Sequence, residues 1–204
     1  GDAIFEDVNN DGQLDSKDMK FMGYIRPDKV GGIVNSFKYK GLTVRVVMDW
    51  AMGHVIDNGF KGQIMGSSRN NNNAIKDAMT NSWQSANDGT KYPKYTVQSD
   101  YDYQYRNHMR WDNQIGSSES GSTNNSLYFS KGDYLAFREV SLSYMLPSTW
   151  VRKIRLSGVE VFAGAYNIGY IKKYDGMFPE IYTGVDYGVY PRPRQYNMGV
   201  KINF

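Results

Sequence analysis

Alternation of apolar and polar residues recurs at five places along this 204-residue chain, and it constrains the fold more than any other feature. In Leu42-Thr43-Val44-Arg45-Val46-Val47-Met48-Asp49-Trp50, one side carries Leu42, Val44, Val46, Met48 and Trp50, and the other carries Thr43, Arg45, Val47 and Asp49. Successive side chains of an extended chain point to opposite faces, so a period of two predicts a strand. Ile33 to Tyr39 places Ile33, Phe37 and Tyr39 on one face, with Asn35 as an exception. Lys40-Gly41, between these two segments, can supply a tight hairpin. Tyr134 to Leu146 alternates cleanly from Val140 onward and loses phase around Arg138-Glu139, where a bulge is expected. It stops at Pro147, which cannot donate to a ladder. Ile154 to Tyr166 sets Val159, Val161, Ala163 and Ala165 on one face, and Gln195 to Phe204 does the same with Tyr196, Met198, Val200, Ile202 and Phe204.

The connections between these segments alternate in length. About 30 residues precede the first, about 2 separate the first pair, about 80 follow, then about 7, then nearly 30. Long loops at one end of every hairpin and tight turns at the other are the arrangement of a transmembrane barrel. A strand of 11 residues, as in Arg194 to Phe204, is roughly 36 Å long, and a tilt of about 45° projects it onto roughly 25 Å, the height of a barrel's apolar band. Gly199 and Lys201 on its other face suit a wet lumen wall better than a dry sandwich core. A soluble sheet with one face in solvent gives the same periodicity, and the loop asymmetry favours the barrel. Five strands cannot close a pore, so the remaining strands are expected from elsewhere in a larger polypeptide.

Composition excludes several classes. Hydrophobic residues make up 40% and aromatics 15%, with 17 Tyr, which suits many half-buried strands joined by polar loops. The formal charge is only +3 and the basic residues are scattered, which argues against a nucleic-acid surface. With no Cys there is neither a disulfide framework nor a thiolate metal site. No apolar run is long enough for a spanning helix, which leaves barrel strands untouched. His54 and His108 are the two histidines, in no metal-ligand spacing, and no nucleophile-base constellation appears, so the chain is expected not to be an enzyme. Gly1-Asp2-Ala3-Ile4-Phe5-Glu6 has no initiating Met or apolar leader and is expected to be the middle of a longer polypeptide or a processed start.

Two loop features suggest ligands. Asp7, Asn9, Asp11, Asp15 and Asp18 place oxygen donors at positions 1, 3, 5, 9 and 12 of a twelve-residue loop, with Gly12 at the turn and the Gln13 carbonyl at position 7. Hard oxygens at this spacing predict a calcium ion; the alternative is a metal-free loop built of Asx turns. Asp18 stands where a bidentate Glu is usual, which favours a structural clip over a sensor. Ser16 to Met22 is expected to leave it as a short helix stopped near Gly23, and Ala74 to Trp83 is a second candidate helix. The insertion from 52 to 130 also carries Tyr92, Tyr95, Tyr101, Tyr103, Tyr105 and Trp111. These rings either hold the long loop together or form a wall against a carbohydrate, a peptide or a partner protein.

Several stretches together resemble the C-terminal region of the SusC/RagA family, TonB-dependent outer-membrane transporters of Bacteroidota. They are the acidic opening from Gly1 to Asp18 with Gly23, the hairpin Ser36 to Leu42, and Trp83 with Thr90 and Pro93. To these add Gly132 to Pro147, with Ala136 and Glu139 as departures, then Phe162 to Asn167, Asp175 to Glu180 and Gly188 to Arg194. The resemblance implies an all-β fold: the C-terminal five strands of a 22-stranded antiparallel barrel with an N-terminal plug. It implies import of an oligosaccharide or oligopeptide, with a SusD-like surface lipoprotein as a lid and the TonB complex supplying energy through the part outside this chain. Gly199, Ile202 and Phe204 then resemble the signal read by the barrel-assembly machinery. With a periplasmic C-terminus, loops 1–30, 52–130 and 167–193 are expected to be external, with barrel hairpins at 31–51 and 131–166 and the closing strand at 194–204. Arg45, Asp49 and Lys201 are expected to face the lumen, and the outer surface to meet lipid. The rival expectation is a secreted calcium-binding β-module, an adhesin or glycan-binding domain.

Overall fold

A computed structural model describes residues 1, 4–13, 15–65, 75–95 and 126–204. Among them are the strands β1 (Lys29–Tyr39), β2 (Leu42–Met52), β3 (Val55–Asp57), β4 (Phe129–Lys131), β5 (Tyr134–Met145), β6 (Gly158–Lys172) and β7 (Gln195–Asn203). The chain divides into two units. One comprises residues 1–23, 55–130 and 181–189, and the other 24–54, 131–180 and 190–204.

The second unit is a single five-stranded sheet in the order β1-β2-β5-β6-β7, antiparallel throughout. Its register keeps the two sets of side chains apart, because residues directly opposite each other lie on the same face. One face carries the rows Phe37-Val44-Leu142-Ala163-Met198 and Tyr39-Leu42-Tyr144-Val161-Val200. The other carries Ser36-Arg45-Ser141-Gly164-Asn197 and Lys38-Thr43-Ser143-Phe162-Gly199. The apolar face is bare among the described residues: Phe37 is 61% exposed, Leu142 46% and Val200 58%. Asn35 sits in its row Val46-Val140-Ala165-Tyr196 as the exception its sequence position announced.

Turn chemistry explains the two short connections. Lys40 and Gly41 both have positive φ, 44° and 86°, the two-residue turn whose twist matches that of its strands. A Cβ on Gly41 would also stand 2.7 Å from the Met145 carbonyl oxygen, so the position needs glycine twice over. After Pro147 the chain forms α3 (Ser148–Val151) and a 3-10 turn (Arg152–Ile154) before Arg155, at φ 59°, turns it into β6. The strands run further than their alternation suggests. β1 begins at Lys29, and β6 continues past Tyr166 to Lys172, beyond an irregularity that hides its periodicity.

The other unit holds what the long connections contribute. α1 (Gly59–Met65), α2 (Lys76–Thr80) and the short sheet of β3 and β4 surround a small core of Met65, Ala78, Tyr92 and Tyr128. Val185, far along the chain, bridges to Asp57 in parallel. Two helix expectations are corrected here. From Ser16 only a 3-10 turn to Asp18 forms, although Asp15 and Asp18 make the reciprocal side-chain bonds to the amides of Lys17 and Asp15 that cap a helix start, and the second helix ends at Thr80.

Candidate functional site

Among the described residues, a cluster of charged side chains gathers around the buried Glu180 on the polar face near the ends of β2, β5 and β6. Its origin is a bulge. Val47 opposes Glu139 and Met48 opposes Phe137, so Arg138 is an extra residue on β5. On the other side Phe137 pairs with Gly169 and Glu139 with Tyr166, leaving Asn167 and Ile168 opposite Arg138. Asn167 takes φ 51°, a left-handed value that Asn tolerates better than most residues. An extra residue turns a side chain that alternation would send to the apolar face back onto the polar one.

There Arg138 meets two carboxylates. Its Nε donates to Asp49 Oδ1 at 2.9 Å and its Nη2 to Asp49 Oδ2 at 2.9 Å, a forked pair. Its Nη1 lies 2.5 Å from Glu180 Oε1. Tyr170, in the same cross-strand row as Asp49 and Ala136, donates its hydroxyl to Glu180 Oε1 at 2.6 Å. Arg192 closes on the other oxygen, Nη2 to Oε2 at 3.1 Å. The Glu180 side chain is 1% exposed and that of Arg138 17%, against 40% for Asp49 and 50% for Arg192. Burial alone would push the Glu180 carboxyl up, but hydrogen bonds from Arg138 and Tyr170 and the two guanidinium charges outweigh it and hold the group below its usual range.

Aromatic packing supports the same spot. Tyr170 stands edge-on to both Tyr134 and Phe178, with centroids 5.9 Å apart in each case, and the Arg192 guanidinium lies 5.9 Å from the Phe178 ring centroid. Tyr174, Phe178 and Pro179 are buried. Residues 174 to 180 are thus packed down by an apolar segment that ends in the carboxylate. A second tie lies at the start of β5, where Asp133 accepts from the Gly53 amide at 2.8 Å and from Lys173 Nζ at 2.9 Å. The Lys173 bond, against burial, lowers the Asp133 carboxyl. Beside it His54 is 5% exposed, and burial lowers its imidazole against the opposing charge of Asp133. Along the polar face Arg45 reaches Glu139 at 3.4 Å, and Asp49, Arg45 and Lys201 all fall on that face.

The residues singled out from sequence lie elsewhere. Asp7 accepts from the amides of Asp11 and Gly12 at 3.3 and 2.8 Å, Asn9 from that of Asp11 at 3.0 Å, and Asp11 from that of Gln13 at 2.9 Å. Asp15 accepts from the Lys17 amide, and Asp18 from those of Val8 and Asp15 at 2.8 Å each, the Asp15 bond being the main one that lowers its carboxyl. Gly12 has φ 78° and makes the turn. This hard-oxygen donor set suits a calcium ion. In the geometry described, the carboxylates serve backbone amides, and no three acidic or His side chains among the described residues converge on a cation site. Tyr92 is buried, with its hydroxyl 2.7 Å from Asp77, and Tyr95 packs beside it, so these two hold the loop together. Tyr101, Tyr103, Tyr105 and Trp111 lie outside the described residues. Gly199 lies beneath the Phe162 ring, Ile202 is on the apolar face and Phe204 is 92% exposed. Sequence patterning missed Glu180, Tyr170 and Arg192. Only the phase slip at Arg138 pointed to their site.

The second unit is thus an antiparallel sheet with one exposed apolar face and one charged, hydrogen-bonded face. Comparison with known proteins carries this further. The chain is 25% identical over its whole length to TonB-dependent receptor P3 of Formosa agariphila, and 24% identical to receptor P39 of the same organism. It is 26% identical over 44% of its length to TonB-dependent receptor SusC of Bacteroides thetaiotaomicron. The solved RagAB peptide transporter superposes on 95% of the chain with a TM-score of 0.67 at 21% identity. No family model matches. The chain is therefore homologous to SusC/RagA-family TonB-dependent outer-membrane transporters, which are not enzymes, and it spans about a fifth of their length, 19% of receptor P3.

Proposed function

We propose that this chain is five strands and three outer loops of the wall of a 22-stranded TonB-dependent importer of oligopeptides or oligosaccharides. The observation that carries the proposal is the separation of faces across all five strands, with Asn35 and Phe162 as exceptions, together with homology along the whole chain. The apolar face meets outer-membrane lipid, and the polar face lines the lumen. Both β1 and β7 are edge strands, and the rest of the barrel pairs with them and surrounds a plug. The C-terminus is periplasmic and Gly199, Ile202 and Phe204 serve as the assembly signal, so the long loops face outward. There a SusD-like lipoprotein docks over them, and the TonB complex acts on a segment beyond this chain. The loop from Asp7 to Asp18 holds a structural calcium ion on that outer side, the ion replacing the backbone amides that Asp7, Asn9, Asp11, Asp15 and Asp18 now serve. The secreted β-module would need a second sheet over the apolar face, and nothing favours one.

A pair of substitutions tests the orientation of the wall. Val140→Lys, in the middle of the apolar face, is expected to cost about 2–4 kcal/mol of barrel stability in lipid, while Asn197→Lys, on the polar face, costs about 1 kcal/mol or less. Urea unfolding of the full-length protein in vesicles reads both. Equal costs at the two sites would overturn the assignment of faces.

A further inference from the structure

The transport reading leaves the buried Glu180 site without a role. Three donors converge on its carboxylate: the Arg138 guanidinium at 2.5 Å, the Tyr170 hydroxyl at 2.6 Å and the Arg192 guanidinium at 3.1 Å. Planar guanidinium forks with an added hydroxyl are a general solution for holding a carboxylate. The donors and the acceptor differ in origin. Arg138 and Tyr170 stand on hydrogen-bonded strands, whereas Glu180 arrives on the connection between β6 and β7. Arg192 is on the same connection, so its pairing with Glu180 closes a loop of the intervening residues upon itself.

The charges allow the carboxylate to leave. Arg138 keeps its forked bond to Asp49 whether or not Glu180 is present, so departure does not strand a buried guanidinium. With Glu180 in place the four charges of Asp49, Arg138, Glu180 and Arg192 sum to zero. Without it a net single positive charge faces the polar side, and the half-exposed Arg192 opens that charge to solvent. The site left behind is selective for an anion of carboxylate shape.

We propose that Arg138, Tyr170 and Arg192 form a carboxylate-binding cradle on the polar face, that Glu180 is its built-in occupant, and that this contact latches residues 174–180 as a strap. When the strap lifts, the cradle accepts the carboxylate of a solute in place of Glu180. The inference goes beyond import as such, since it assigns a ligand chemistry and a moving part to this wall.

The experiment is hydrogen exchange of residues 174–180 in the folded full-length protein, read by mass spectrometry, in the presence of sodium formate or sodium chloride at equal ionic strength. Glu180→Ala is expected to raise exchange of this segment at least about tenfold while the β5 and β6 amides stay protected. In the wild type formate competes with Glu180 for the cradle and raises exchange of the segment, chloride does not, and Arg192→Ala abolishes the formate effect. Unchanged exchange in Glu180→Ala refutes the latch. A wild-type response that is equal in formate and chloride refutes the carboxylate cradle, as does a formate effect that survives Arg192→Ala. If Glu180→Ala does not fold, Glu180→Gln keeps the volume and tests the latch alone: a rise in exchange, with no formate effect, supports it, and no rise overturns it.

Discussion

Replacing Arg138 by Met isolates what the bulge contributes, because Met keeps most of the aliphatic volume and removes the guanidinium. Truncating one member of a buried ion pair ordinarily costs about 3–5 kcal/mol, since the partner is left charged and unpaired. Here the cost is smaller for two reasons. The Asp49 side chain is 40% exposed and rehydrates, and Glu180 retains Arg192 at 3.1 Å and the Tyr170 hydroxyl at 2.6 Å. About 2–3 kcal/mol remains, a roughly 30- to 150-fold larger opening constant for the strap. The pH dependence is the sharper signature. In the wild type the Glu180 carboxyl is held below its unfolded value, so its contribution is present above the ordinary carboxylate range and is lost as pH falls through the folded value. In Arg138→Met, burial gains the upper hand, and the ionised carboxylate becomes a cost that grows as pH rises. The stability gap between the two proteins therefore widens from pH 4 towards neutrality. Urea titrations across that range, with strap exchange followed in parallel, measure it. A gap under about 0.5 kcal/mol, or one that narrows with rising pH, would show that the network is not charged and buried as described.

Three further outcomes follow from local geometry. Gly41→Ala is expected to cost about 1–2 kcal/mol through the left-handed backbone, plus the clash at the Met145 carbonyl, and to slow refolding of the first hairpin measured by stopped-flow fluorescence. Asp88 accepts from the amides of Gln84, Ser85 and Thr90, and the first of these bonds leads in lowering its carboxyl to about 2. Its turn should keep the same exchange protection from pH 7 to pH 4 and lose it only as pH falls towards 2, with Asp88→Asn unprotected throughout. Calcium titration of the full-length protein by calorimetry should give one site that Asp7→Ala removes; no heat, or heat unaffected by Asp7→Ala, sinks the metal proposal.

The sheet was legible because its cause is local. Alternation from Leu42 to Trp50 and from Val140 to Met145 is what a strand with two different environments requires, and Lys40-Gly41 names its own turn. The charge network was illegible for the opposite reason. Glu180 and Arg192 sit in a segment without periodicity, Asp49 reads as one more polar residue of an alternating strand, and their partners are 89 residues apart for Asp49 and Arg138. The aromatic residues were ambiguous in a third way. Tyr92 is as good a ring for a ligand as for a core, and only the Met65, Ala78 and Tyr128 around it decide the matter.

The phase slip at Arg138 joins these two kinds of information. A strand can lose alternation because its environment is uniform or because a residue has been inserted. Register distinguishes the cases: on either side of Arg138 the cross-strand rows are intact, Val47-Glu139-Tyr166 below and Asp49-Ala136-Tyr170 above. The slip is thus one residue long, and its effect is to keep Glu139 and Arg138 on the same face. Without it Arg138 would project from the apolar face, where, on the proposed barrel reading, a charge in lipid costs about 2–4 kcal/mol. Deleting Arg138 should restore continuous alternation, improve the β2 to β5 ladder, and loosen the strap about as far as Arg138→Met does, since Glu180 keeps Tyr170 and Arg192. The sheet would still form, and strap exchange would rise as in Arg138→Met. A deletion variant with an intact, protected strap would mean that the apolar packing of Tyr174 and Phe178, and not the carboxylate, holds that segment down.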